Sequence, residues 1–90
     1  MKKILLLLQL MPILFFAQSY SGPESVEFDY ANNRWLIGNH NNGTVIARSM
    51  NGTFSAFVSG MTSGPYGIEI LGNTLYCCHN GNMIRGFDLT

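Results

Sequence analysis

The chain has 90 residues, room for one small domain, and its five basic and five acidic side chains cancel to a formal charge of zero. With 11% charged and 47% hydrophobic residues, it has neither the basic stripe that a nucleic-acid partner requires nor the charge-rich composition of a disordered polymer. Ten glycines among many β-formers suit short strands joined by tight turns.

The first element is the opening MKKILLLLQLMPILFFAQS. Lys2 and Lys3 precede an apolar run from Ile4 to Ala17, broken by Gln9 and Pro12, and the small residues Ala17 and Ser19 follow. That layout predicts a secretory signal peptide over residues 1–19, helical or disordered, with cleavage near 17–19. A membrane span needs about 20 apolar residues, more than this run supplies. Cleavage leaves Arg34, Arg48 and Arg85 against Glu24, Glu27, Asp29, Glu69 and Asp88, a formal charge of −2. The expected product is secreted or periplasmic, with no nucleic-acid partner and no membrane attachment.

Residues 20–90 contain an internal repeat. Gly22-Pro23 recurs as Gly64-Pro65, and Ser25-Val26-Glu27-Phe28 as Gly67-Ile68-Glu69-Ile70, both at an offset of 42. Trp35-Leu36-Ile37 aligns with Leu75-Tyr76-Cys77 at 40, His40 with His79 at 39, and Gly43-Thr44-Val45-Ile46 with Gly81-Asn82-Met83-Ile84 at 38. A period near 40 built from short strands predicts blades of a β-propeller, each a four-stranded antiparallel sheet. In chain order, strands are expected near Ser25–Asp29, Arg34–Gly38, Thr44–Ser49 and Thr53–Val58, then Gly67–Leu71, Thr74–His79 and Met83–Asp88. The intervening turns are Ala31-Asn32-Asn33, His40-Asn41-Asn42-Gly43, Asn51-Gly52, Gly72-Asn73 and Asn80-Gly81, with Asn-Gly the commonest two-residue hairpin signal. The expected fold is all-β: a first blade over about 22–60 and a second, incomplete one over about 64–90, with no fourth strand in the second.

Val26 and Phe28 fall on one face of the first strand and Glu27 on the other, a pattern repeated by Ile68, Ile70 and Glu69. Trp35-Leu36-Ile37 and Leu75-Tyr76-Cys77 are apolar on both faces, as in sheets sandwiched between sheets. Repeat arrays below about three units seldom stand alone, so further blades are expected to close the structure.

The second unit, GPYGIEILGNTLYCCHNGNMIRGFDL, resembles an NHL-type repeat at Pro65, Gly67, Gly72, Asn73, Leu75, Tyr76, Asn80, Ile84, Phe87, Asp88 and Leu89. It departs at His79, where the family's middle turn has Asp. The first unit, GPESVEFDYANNRWLIGNHNNGTV, is similar to the opening blade of SMP-30/gluconolactonase and strictosidine-synthase-like propellers. The resemblance implies the N-terminal portion of a six-bladed propeller in a superfamily that holds both hydrolases and binding modules. In the lactonases the first inner strand begins with a Glu that binds a divalent metal. Glu24-Ser25-Val26-Glu27-Phe28-Asp29 matches at the Glu, the small residue, the aromatic and the final acid, and departs at Val26 and Glu27. Glu24 is therefore the one candidate metal ligand, for Ca²⁺ or another divalent ion, with a solvated carboxylate after Gly-Pro as the alternative; such ions take about six oxygens.

Cys77 and Cys78 are strand neighbours whose side chains point to opposite faces, so two separate thiols are expected. Cys77, on the side of Leu75 and His79, is expected in the core, and Cys78 either faces the other sheet or pairs with a cysteine from a further part of the protein. Zinc needs four ligands, more than Cys-Cys-His and His40 offer at useful spacing. His40 and His79 are expected at equivalent strand ends beside turns. Two functions remain: a noncatalytic propeller that binds a ligand or protein, and the N-terminal part of a metal-dependent lactonase-like hydrolase.

Overall fold

The computed structural model describes residues 20–90, so the leader expected over 1–19 lies outside the described residues. Seven strands run in order: β1 (Pro23–Asp29), β2 (Arg34–Asn39), β3 (Thr44–Ser49), β4 (Phe54–Val58), β5 (Gly67–Leu71), β6 (Thr74–His79) and β7 (Met83–Asp88). They form two antiparallel sheets, one in the order β1-β2-β3-β4 and one in the order β5-β6-β7. Every expected strand is present. β1 begins two residues early, because Pro23 pairs with Asn39 and Ser25 with Gly38, leaving Glu24 in a bulge.

The turns differ from expectation in one respect. Leu71 pairs with Thr74, so Gly72-Asn73 is a two-residue turn, and Gly72 takes a φ of 62° there, a conformation open to glycine at little cost. None of the three Asn-Gly pairs makes such a turn. His79 pairs with Met83 across Asn80, Gly81 and Asn82. Between β3 and β4 the Ser49 amide donates to the Thr53 carbonyl, and the Gly52 amide to the Ser49 carbonyl. That enclosed β-turn ends in Gly52 at φ 89°, the three-residue hairpin form. Side chains select it: the Asn51 carboxamide oxygen accepts from the Thr53 amide at 3.1 Å and from the Ser49 hydroxyl.

The sheets pack face to face, with β1 against β5. Leu36, Val45 and Ala47 from the first sheet meet Ile68, Leu75 and Cys77 from the second, and Met61 and Leu89 close the ends of this core. Met61 lies in the β4–β5 connection, where its amide donates to the Gly43 carbonyl at 3.0 Å. A Cβ on Gly43 would collide with the Met61 carbonyl oxygen, so this glycine lets the connection cross the β2–β3 turn. At the opposite end, Arg34 Nε donates to Asp29 Oδ2 at 2.9 Å. The Arg34 Nη2 and Asn32 Nδ2 groups reach the Leu89 carbonyl at 3.0 and 3.3 Å, tying the first hairpin to the residue after β7.

Strand register relates the two sheets residue by residue. Leu36 stands opposite Glu27, and Tyr76 opposite Glu69, so Leu36 corresponds to Tyr76, Gly38 to Cys78 and, through the next strand, Val45 to Ile84. The third strand is thus offset by 39 rather than the expected 38, and Asn39, not His40, corresponds to His79. The face of the first sheet that the second covers (Leu36, Gly38, Val45) therefore matches the face of the second that stays open (Tyr76, Cys78, Ile84). Conversely Ile68, Leu75 and Cys77, which are covered, match Val26, Trp35 and Ile37 on the far side of the first sheet. The units stack in one sense, front to back. Each end of the stack leaves apolar surface in water: Val26 is 57% exposed at one end, and Leu71 69% and Ile84 71% at the other.

Candidate functional site

The β2–β3 turn and the β4–β5 connection meet at one edge of the stack, where His40, Tyr66 and Ser63 come together. The His40 amide donates to the Gly22 carbonyl at 2.9 Å, fixing the turn to the start of β1. The Tyr66 amide donates to the Cys78 carbonyl at 2.8 Å, prolonging the β5 ladder. These bonds set the rings of His40 and Tyr66 against each other, centroids 4.7 Å apart and tilted by 52°. The Tyr66 hydroxyl lies 2.8 Å from the Ser63 hydroxyl. Ser63 is thus hydrogen-bonded to a phenol, which is not the base that activates a serine nucleophile. What the edge offers is an aromatic platform with polar rims, suited to holding a ring-bearing ligand by stacking and hydrogen bonds.

His79 stands where expected, at the end of β6 beside the Asn80-Gly81 turn, and it is buried there. It ends β6 on the same face as Leu75 and Cys77, 5% exposed, and the alternation of that strand puts it there. Its Nδ1 stands 3.4 Å from the Thr62 carbonyl, an acceptor, so Nδ1 is the donor in that contact, and Nε2 has no hydrogen-bond partner among the described residues. A hollow of about 410 Å³ opens beside it, bordered by Tyr66, Met83 and Ile84. Its counterpart Asn39, fully buried, accepts from the Ser21 amide at 3.1 Å and donates to the Thr44 hydroxyl at 3.2 Å.

Glu24 is exposed in the β1 bulge. Among the described residues no three His, Cys, Asp or Glu side chains gather as a metal site would need. Glu24 alone does not fit an ion that wants about six oxygens, so the described residues do not build that site.

Both cysteines are free, as expected, with Cys77 buried and Cys78 exposed. Burial, and next the charge of neighbouring Cys78, push the Cys77 thiol up to about 11, and thiolate is the reactive form. A thiol reagent at neutral pH is therefore expected to modify Cys78 alone in the folded chain, with Cys77 following only in denaturant. Peptide mapping checks this; equal labelling of both in the native state would contradict the burial of Cys77.

The carboxylates with clear electrostatic roles are elsewhere. Burial raises the Asp29 pKa, but hydrogen bonds from Asn32 and Arg34 outweigh it and leave the group below 3.8. Asp88 is held low chiefly by the side-chain and backbone hydrogen bonds of Thr90, with Asn73 adding to them. Both brace turns. Comparison with protein-family models, with curated proteins and with solved structures finds no match to this chain.

Proposed function

We propose that this chain supplies two adjoining blades of an exported β-propeller of the NHL/SMP-30-like kind, and that it is a scaffold for binding a ligand or protein. The observation that carries this reading is the front-to-back stacking of two register-matched sheets with apolar surface open at both ends. Sheets of this kind close into a ring at about 4 to 8 blades. Export rests on the basic and apolar pattern of residues 1–19. Binding rests on the His40–Tyr66 platform and the hollow beside His79, which offer contact surface without a nucleophile–base pair.

The hydrolase alternative turns on Glu24. Calcium titration by calorimetry, with Glu24→Gln in parallel, separates the two. The scaffold reading expects no calcium uptake that depends on Glu24. Saturable binding abolished by Glu24→Gln would move the chain to the metal-dependent class, where bound metal polarises a carbonyl or water.

A further inference from the structure

The open face of the β5–β7 sheet forms a groove of about 540 Å³ whose walls include Leu71, Tyr76, Cys78 and Ile84. We propose that this groove is the docking site for a second copy of the chain, which enters with the far face of its β1–β4 sheet. The inference rests on the blade reading above and names the partner of its open end.

Three observations point to that occupant. First, the groove residues Tyr76, Cys78 and Ile84 occupy the register positions of Leu36, Gly38 and Val45. Within the chain those positions are covered by Ile68, Leu75 and Cys77, so the geometry of a fitting partner is already displayed once. Second, the residues corresponding to that cover are Val26, Trp35 and Ile37; the chain presents Val26 and Trp35 on its other end, 57% and 38% exposed, while Ile37 is buried at 7%. The Trp35 ring is braced edge-on by Phe28, centroids 4.7 Å apart, which keeps this face preformed. Third, the two faces carry opposite charges at exposed positions, Glu69 on the groove side and Arg48 beside Trp35 on the other, a pairing that favours this orientation over like-to-like contact. The contact is heterologous, so successive copies build toward a closed ring if the rotation permits.

The test uses charged substitutions at exposed positions, Ile84→Glu in the groove and Val26→Glu on the far face, and mass measurement by sedimentation. The unaltered chain is expected to associate with rising concentration, and each variant alone to run as a single copy. An equimolar mixture of the two is expected to recover a species of two copies and no larger, since one intact face of each kind remains. Variants that misfold do not shield the proposal. Trp35 is the sole tryptophan and is 38% exposed on the far face, so its emission in the unaltered chain should shift to shorter wavelength as concentration rises and docking buries it. A chain that stays single at all concentrations, or variants that still associate alone, would overturn the docking. If such a chain keeps its internal contact between Gly38 and Ile68, the blade reading survives; if it lacks that contact, both fall.

Discussion

Leu75→Ala is expected to cost about 3 kcal/mol, within the range of roughly 2–5 for a buried leucine cut back to alanine. Leu75 is fully buried where the two sheets meet, and the atoms removed leave a hole bounded by both, since neither sheet can close on the other while the strand ladders hold. A unit of about 70 ordered residues has about 4–10 kcal/mol to lose, at ~0.05–0.15 per residue. The variant should therefore melt far below the parent. Urea unfolding followed by Trp35 emission measures the loss, with Met50→Ala as control: Met50 is 61% exposed, and its truncation should change little. Equal losses in the two variants would mean that the sheets do not share a core.

The second large effect is expected at Asp29. Its carboxylate is 1% exposed and paired with an Arg34 side chain that is 22% exposed. Removing one partner of an enclosed ion pair costs about 3–5 kcal/mol; the partial hydration of Arg34 lowers the expectation for Asp29→Asn to about 2–3 kcal/mol. The loss should reach beyond the hairpin, because Arg34 and Asn32 also hold the Leu89 carbonyl. The pH dependence has a definite sign. A carboxylate whose folded pKa lies below 3.8 contributes its full stabilisation above that value and loses it as pH falls through the folded one. Stability of the parent should drop on acidification below about pH 4, more steeply than that of Asp29→Asn, which keeps only the share from Asp88. Parallel acid titrations of parent and variant would refute the clamp.

The strands were legible because their pattern has a short period. Alternation at Ser25–Asp29 and Gly67–Leu71, bounded by Gly, Asn and Pro, located β1 and β5 to within two residues. Cys77 was legible for the same reason: Leu75, Cys77 and His79 share a face. Matching repeats by residue identity misled at His40, because register is counted from backbone pairing. The insertion-free route through β2 assigns His79 to Asn39. The Asn51-Gly52 turn lengthened because Asn51 bonds to Ser49 and Thr53, a local competition that the dipeptide alone does not reveal. The tie from Arg34 and Asn32 to Leu89 spans 55 and 57 residues and has no sequence signature. The His40–Tyr66 platform joins two loops for the same tertiary reason, and no spacing rule brings it forward.

The four-stranded and the three-stranded sheet stack through the faces that carry Gly38 and Ile68. A side-chain carbon at Gly38 would lie 3.5 Å from Ile68 Cγ2, so the Gly38 α-protons and that methyl group are close neighbours across the interface. A nuclear Overhauser cross-peak between them in the folded chain is the result expected. A well-dispersed spectrum that shows the ladder contacts of both sheets but lacks this cross-peak would contradict the stacking.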